Sequence, residues 1–226
     1  MIELRGLRKT FRTNGITKIV ARNINFTFPS KTSIALLGRN GAGKSTLLQM
    51  IAGTADPDEG EILSSGTISW PVGFGGSFHH DLTGAQNTRF VARIYGIDTD
   101  EMADFVRDFA ELGQHFFLPV RTYSSGMRSR LAFGISMAIE FDTYLIDEVT
   151  SVGDQAFKMK SQRILSDRMA RSGAVIVSHS MALLQDMCTA GAVLEDGRLF
   201  YYQRVEKAIE HHEFIMRGSL PPWMQT

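Results

Sequence analysis

The sequence has little cysteine, no net charge and no long apolar segment. With one cysteine, Cys188, among 226 residues, it cannot form an intramolecular disulfide, and we expect it to work in a reducing compartment. Its 24 basic and 24 acidic residues cancel, which argues against a protein that holds nucleic acid or anionic lipid through bulk charge. No apolar stretch approaches the ~20 residues that a membrane helix needs. We therefore expect a chain that neither crosses a membrane by itself nor binds nucleic acid.

What the sequence does contain is the pattern of an α/β domain. The hydrophobic content of 43% is normal for a folded chain of this length. Short apolar runs, such as residues 33–37, predict buried strands, whereas apolar residues at helical spacing predominate over residues 82–140. The sequence therefore predicts one domain over residues 1–217, with a helical lobe inserted at roughly residues 82–140, and a loose tail at residues 218–226.

A glycine-rich segment between a predicted strand and a predicted helix carries the clearest chemistry. Gly38-x-x-x-x-Gly43-Lys44-Ser45 matches the phosphate-binding P-loop. Its glycines let backbone N–H groups surround phosphate oxygens, Lys44 supplies a cation to the β- and γ-phosphates, and the Ser45 hydroxyl is suited to Mg²⁺. The sequence therefore predicts that the chain binds ATP and Mg²⁺. The predicted nucleotide-binding residues of this loop are Gly38, Arg39, Asn40, Gly41, Ala42, Gly43, Lys44, Ser45 and Thr46.

Two further polar segments follow predicted buried strands. Residues 144–146 run directly into Asp147 and Glu148, and His179 follows a strand at residues 174–177. In a P-loop sheet an acid at this position reaches Mg²⁺ and a second acid orients the attacking water. We therefore assign Asp147 to the metal and Glu148 to the general base, and we expect His179 to hydrogen-bond the γ-phosphate or the water. A solvated acidic turn and a structural histidine are the alternatives.

The order of these motifs resembles the nucleotide-binding subunits of ABC transporters. Residues 123–127 read Tyr-Ser-Ser-Gly-Met where that family has its Leu-Ser-Gly-Gly-Gln signature. The resemblance implies an α/β fold with a P-loop NTPase core, an N-terminal antiparallel β subdomain and an inserted helical subdomain. It also implies that Ser124, Ser125 and Gly126 bind ATP and that Phe11 stacks on adenine. From the residues alone, a plain helix cap and a core phenylalanine are the alternatives.

The family also implies a mechanism. Two copies of such a subunit meet head to tail, and the signature of one copy closes over the ATP held by the P-loop of the other. ATP binding holds this homodimer together, and hydrolysis releases it, so an isolated domain is expected to be a slow ATPase that accelerates on dimerisation. A separate transmembrane permease completes the transporter, with the ATPase bound peripherally to the cytoplasmic face of the bacterial inner membrane.

Within the family, three features resemble the polysaccharide exporters. They are the Phe-His-His-Asp-Leu-Thr-Gly segment at residues 78–84, the variant signature at residues 123–127, and Val149 in place of proline after the acidic pair. The resemblance implies export of a lipid-linked capsular polysaccharide, which mainly the permease contacts. An O-antigen or teichoic-acid exporter is the alternative. A soluble ABC ATPase without a transport role and a hydrolysis-dead scaffold agree less well with the neutral charge and the intact catalytic residues.

One motif of the family is missing. Most ABC ATPases carry a glutamine in the loop after the strand that precedes the helical lobe, whereas residues 71–77 here contain none. Gln86 comes too late and is predicted to lie on the helical lobe. The metal contact is then left to Ser45, Asp147 and water. We predict that residues 72–80 still form the hinge and the docking surface toward the permease.

Overall fold

The computed structural model describes residues 1–13, 15–72, 78–147 and 154–219, which form strands, α-helices and two short 3₁₀ helices. The strands are β1 (Ile2–Thr13), β2 (Ile16–Phe28), β3 (Ser33–Leu37), β4 (Glu59–Ser64), β5 (Ile68–Pro71), β6 (Thr143–Asp147), β7 (Gly173–Val177), β8 (Ala190–Glu195) and β9 (Arg198–Tyr202). The helices are α1 (Lys44–Ile51), α2 (Gly84–Tyr95), α3 (Thr99–Ala110), α4 (Ser125–Ala138), α5 (Gln155–Met169), α6 (Met181–Met187) and α7 (Val205–Met216). The 3₁₀ helices are Gly113–Phe117 and Val120–Thr122.

The first of two compact units holds both sheets and comprises the described residues of Met1–Pro71, Phe141–Glu148 and Met169–Thr226. An antiparallel sheet has the order β2-β1-β4, and a second sheet has the order β5-β6-β7-β3-β8-β9, parallel except for the β8–β9 hairpin. Strands β3, β6 and β7 are buried along almost their whole length, which explains their continuous apolar sequences. The predicted fold class is thereby confirmed.

A hydrophobic core between the two sheets fixes the position of α1. Leu47, Leu48 and Ile51 of this helix are buried in one cluster with side chains of the antiparallel sheet and of the parallel strands. The P-loop emerges from β3 in the interior of the parallel sheet. Because the carboxyl ends of parallel strands meet at one edge, the segments that follow β3, β6 and β7 gather there.

The second compact unit is helical and comprises the described residues of Val72–Glu140 and Val149–Arg168, so it includes most of α5. Its interior contains Phe109, whose ring stacks on Phe133 and meets the edge of Phe157. Because residues 220–226 lie outside the described part of the chain, the division into a domain over residues 1–217 and a tail stays a prediction.

The first turn of α2 shows what the Gln86 side chain does in this fold. The Thr83 hydroxyl accepts a hydrogen bond from the Gln86 N–H at 3.0 Å, and the Gln86 side-chain oxygen accepts one from the Thr83 N–H at 2.9 Å. This reciprocal pair is a capping box, which satisfies backbone donors at the start of the helix. Gln86 therefore lies on the helical unit, as predicted, and its side chain stabilises a helix end.

The closing helix α7 buries an imidazole against the β8–β9 hairpin. The His211 side chain is fully buried, with the Tyr202 hydroxyl 2.9 Å from Nδ1 and Glu195 Oε2 3.5 Å from Nε2. Burial lowers the pKa of His211 below its ordinary value, although the Glu195 carboxylate acts in the opposite direction. In the neutral tautomer whose proton is on Nε2, facing Glu195, the imidazole Nδ1 accepts a hydrogen bond from the Tyr202 hydroxyl.

This burial makes stability depend on pH. Because the pKa of His211 is lower in the folded state, the unfolded chain binds the proton more readily, and stability falls as the pH drops below ~6.5. In urea unfolding at pH 7.5 and 5.5, we expect the free energy of unfolding of His211→Gln to fall less between the two pH values than that of the parent. His115→Gln, at an exposed histidine of the helical unit, is the control. If the stability of His211→Gln depends on pH as strongly as that of the parent, His211 is not the cause. The pKa of the neighbouring His212 is also lowered by burial, and this residue contributes to the pH dependence in both variants.

Candidate nucleotide-binding site

The P-loop joins β3 to α1 through a backbone that only glycine tolerates. Gly41 and Gly43 adopt φ values of 80° and 104°, in the left-handed region that other residues avoid. A Cβ on Gly43 would also lie 2.3 Å from the Val20 Cγ1 of β2. Gly43 caps α1 without any side-chain hydrogen bond, so the first N–H groups of the helix are left for another acceptor. This cradle of amides fits the oxygens of a phosphate chain.

The Lys44 ammonium lies over the start of the loop. It donates hydrogen bonds to the carbonyl oxygen of Gly38 at 2.7 Å and to that of Arg39 at 3.2 Å. Both acceptors are neutral backbone groups, whereas a phosphate oxygen forms a stronger, charge-assisted bond with an ammonium. Lys44 is therefore held within the loop and can exchange carbonyl acceptors for phosphate oxygens.

Two oxygen donors suited to Mg²⁺ lie near the carboxyl ends of different strands of the same unit. Ser45 lies in the first turn of α1, after β3, and Asp147 is the last residue of β6, where it is half-buried. A hydroxyl and a carboxylate are the hard ligands that Mg²⁺ prefers, and Mg²⁺ commonly keeps several waters beside them. The donor set fits the predicted metal.

The predicted sensor histidine lies near an imidazole that the sequence did not suggest. His179 is exposed, two residues after β7, and Ser180 begins α6 by accepting a hydrogen bond from the Leu183 N–H. The half-buried His212 of α7 lies close enough to feel the charges of Lys44 and His179: burial first, and then Lys44, lowers its pKa. Its Nδ1 is buried and has no hydrogen-bond partner among the described residues. Helix α7 thus brings a neutral imidazole to the P-loop edge of the sheet.

Phe11, near the end of β1, is a surface residue. Its side chain is 44% exposed, and the Lys9 ammonium lies 5.5 Å from the ring centroid. The alternative of a core phenylalanine is therefore wrong, and the exposed ring can stack on a flat ligand. A cavity of about 320 Å³ opens beside the P-loop in the same unit. It is lined by residues of β2, of the P-loop, of the β8–β9 turn and by Ile215.

The signature residues lie in the helical unit, at the start of α4. The Ser124 hydroxyl accepts a hydrogen bond from the Met127 N–H at 3.2 Å, so Ser124 is the helix cap that the sequence allowed as an alternative. Ser125 and Gly126 are exposed, and the adjacent Tyr123 is buried with its hydroxyl donating to the His115 carbonyl. The exposed N-terminus of α4 therefore presents backbone N–H groups and the Ser125 hydroxyl to an acceptor outside the helix.

Some predicted residues lie outside the described part of the chain. Glu148 is among them, as are residues 73–77 of the predicted hinge. On either side of residues 73–77, Val72 and Phe78 are buried. The Asn87 side chain of α2 bonds both backbone groups of His79, accepting from the N–H at 2.9 Å and donating to the carbonyl at 3.1 Å.

Comparison with known proteins identifies close relatives. Residues 21–151 match the family described as "ABC transporter". "Polysialic acid transport ATP-binding protein KpsT" of Escherichia coli is 46% identical over 216 residues, which cover 94% of this chain and 96% of that protein. "Capsule polysaccharide export ATP-binding protein CtrD" of Neisseria meningitidis serogroup B is 42% identical over 215 residues, which cover 95% of this chain and 100% of that protein.

A solved structure supports the fold. It is the dimeric post-hydrolysis state of an ATP-binding cassette bound to ADP and Pi, and it superimposes with a TM-score of 0.74 at 20% identity. The superposition covers 91% of this chain and 99% of that chain. Within the described residues, we find no helix with both the length and the apolar character needed to cross a membrane.

Proposed function

Because this chain belongs to the ABC transporter family, we propose that it is the ATP-hydrolysing subunit of an exporter of capsular polysaccharide. The observation that carries the proposal is the 46% and 42% identity, over nearly the whole of each chain, to ATP-binding proteins named for polysialic acid transport and capsule polysaccharide export. The P-loop geometry supplies the chemistry that such a subunit needs. An O-antigen or teichoic-acid cargo stays the alternative.

The hydrolytic roles fall to residues of the first unit. The P-loop amides and Lys44 bind the triphosphate, and Ser45 and Asp147 hold Mg²⁺, which neutralises charge on the β- and γ-phosphates when bound. Glu148 orients a water molecule and takes its proton as the water oxygen attacks the γ-phosphorus. The bond between that phosphorus and the bridging oxygen breaks, and ADP and phosphate leave. His179 holds the γ-phosphate or the water in line.

A homodimer completes the site. Ser125 and Gly126 are exposed at the start of α4, where backbone N–H groups and a hydroxyl can bind phosphate oxygens. The side-chain cap of α4 is the Ser124 hydroxyl, which accepts from the Met127 N–H. We assign them to the ATP held by the P-loop of a second copy, so that nucleotide joins the two copies and hydrolysis separates them.

An apolar patch on the helical unit is suited to the permease. Three of its side chains lie on α2, one ends the 3₁₀ helix that packs against α2 and one follows that helix. All are at least 42% exposed: Phe90, Ile94, Tyr95, Phe117 and Leu118. Exposed apolar side chains grouped in this way mark a protein or membrane contact. We therefore place the permease on this patch in addition to the docking surface predicted at residues 72–80. The subunit is bound peripherally to the cytoplasmic face of the inner membrane, and the polysaccharide is contacted mainly by the permease.

Complementation in the source bacterium tests both proposals. Deletion of the gene should remove capsular polysaccharide from the cell surface and leave it inside the cell, and the parent gene should restore it. We expect a Phe90→Ser/Ile94→Ser variant to keep its ATPase activity but to bind the membrane fraction at least ~10-fold more weakly and to restore little export, because buried apolar anchors carry much of the energy of an interface.

Met159→Ser is the matched control, because Met159 is 65% exposed on α5 of the same unit and lies outside the patch. Normal surface polysaccharide after gene deletion would contradict the proposed function. Normal export by the double variant would refute only the position of the permease contact.

A further inference from the structure

Strand β2 presents a lysine to the P-loop. In the antiparallel β1–β2 pair, Lys18 lies directly opposite Phe11, so the two side chains share one face of the sheet. The Lys18 ammonium nitrogen lies 3.5 Å from the position that a Cβ on Gly41 would occupy. Two residues further along, the Val20 Cγ1 lies 2.3 Å from the position that a Cβ on Gly43 would occupy. The side chains of Lys18 and Val20 on β2 therefore both lie along the P-loop, and Lys18 is the one beside Gly41.

Three other cations of this sheet are already engaged. Lys9 pairs with Asp58 at 3.0 Å, Arg8 pairs with Glu59 at 3.0 Å, and the Arg22 Nε donates to the Asp196 carbonyl at 2.8 Å. For Lys18, by contrast, no ion pair is found anywhere in residues 1–13, 15–72, 78–147 and 154–219. These contacts leave Lys18 as the cation of β2 that is available to a ligand.

Positive groups of the P-loop lie on one side of the Lys18 ammonium. The ammonium lies next to the N-terminus of α1, which carries a partial positive charge, and on the same loop as the Lys44 ammonium. The acidic residues that line the cavity beside the P-loop, Glu195 and Asp196, lie on the β8–β9 turn, and Glu195 faces the imidazole of His211 at 3.5 Å. A polyphosphate would relieve the repulsion between the two lysines because it binds both.

We propose that Lys18 is a second lysine of the nucleotide site and grips the polyphosphate of ATP together with Lys44. The inference rests on the proposed nucleotide site and extends it. In this arrangement Lys44 reaches the phosphates from α1, and Lys18 reaches them from β2, beside Gly41. Since Phe11 and Lys18 are neighbours on one hairpin, this hairpin recognises both ends of the nucleotide and favours ATP over AMP.

Nucleotide affinity measured on the full chain tests this role. We expect Lys18→Ala to weaken ATP binding and to raise the KM for ATP by about tenfold, the effect of losing one charge-assisted hydrogen bond, while kcat at saturating ATP stays near that of the parent. Binding of AMP should change little, and Lys18→Arg should restore most of the ATP affinity. The affinity of Lys18→Ala for ATP should also fall less steeply with added salt.

Arg8→Ala is the matched control, because Arg8 is a cation of the same sheet that pairs with Glu59. Unchanged ATP affinity in Lys18→Ala would overturn the inference, and so would an equal loss for ATP and AMP, since that would indicate a disturbed hairpin. If Lys44→Ala weakens ATP binding while Lys18→Ala does not, the proposed nucleotide site stands and only the role of Lys18 fails. If neither variant affects binding, the site itself is wrong.

Discussion

A Lys44→Ala variant is expected to hydrolyse ATP at least ~100-fold more slowly than the parent, because removing one preorganised charge from a phosphoryl-transfer site costs ~3 kcal/mol or more of transition-state stabilisation. The Lys44 ammonium is held inside the loop by the Gly38 and Arg39 carbonyls, so its position is set before nucleotide binds. No other side chain of α1 carries a positive charge. Steady-state phosphate release at saturating ATP measures the effect.

The fold should survive this substitution. Lys44 is only half-buried, and its described hydrogen bonds are to backbone carbonyls of the loop. We therefore expect thermal unfolding without nucleotide to be close to that of the parent, whereas the stabilisation of the parent by ATP should be lost. Lys207→Ala, at the exposed partner of Glu210 on α7, is the control and should hydrolyse ATP normally. Full activity in Lys44→Ala would show that the P-loop is not the working site.

The parts of the fold that were predictable are those whose causes lie close together in sequence. The P-loop was identified from its glycines, and the structure adds the reason for Gly43, which must leave room for Val20. Asp196 and Gly197, in the turn between β8 and β9, both have positive φ, as a tight hairpin requires, and Asp-Gly is a local sequence signal for such a turn.

Strand β1 was not assigned because its alternation is interrupted. Ile2, Leu4 and Leu7 are all buried, although a strict two-residue period would place Leu7 on the opposite face from Leu4. The pairing with β2 shifts register between Leu4 and Leu7, around Gly6, which has a φ of 59°. A bulge of this kind moves the following side chains to the other face of the strand. The apolar pattern therefore looks irregular until the partner strand is known.

Lys18 and His212 come near the P-loop through tertiary structure alone. Lys18 reaches Gly41 only because the β1–β2 hairpin lies against the P-loop. His212 comes near Lys44 because α7 packs on β3 and β8. Neither residue belongs to a local motif, so no sequence pattern groups either of them with the nucleotide. For Lys18 a weak sequence signal of its place near the P-loop exists, because Lys18 and Val20 are two residues apart on one strand.

A Glu148→Gln variant is expected to lose at least ~100-fold of the ATPase turnover and to keep ATP binding. Glu148 follows Asp147 directly, at the carboxyl end of β6, where a carboxylate can take the proton of the attacking water. An amide of nearly the same size can still hold a water by hydrogen bonds but cannot accept its proton at neutral pH. The ATP-bound homodimer should therefore accumulate, which size-exclusion chromatography with light scattering can detect in ATP and Mg²⁺.

The experiment tests two claims together, the role of Glu148 as general base and the ATP-bridged homodimer, and two further variants separate them. Glu140→Gln, at an exposed carboxylate of the helical unit that pairs with Arg168, should show normal turnover and no trapped dimer. Lys44→Ala/Glu148→Gln should give no dimer, because the nucleotide that joins the two copies no longer binds tightly. Normal turnover in Glu148→Gln would show that Glu148 is not the general base. Lost turnover with a chain that stays monomeric in ATP would instead retain the base and refute the ATP-bridged dimer. Catalysis and association depend on different groups, Glu148 next to Asp147 in the sequence and Ser124–Gly126 at the start of α4.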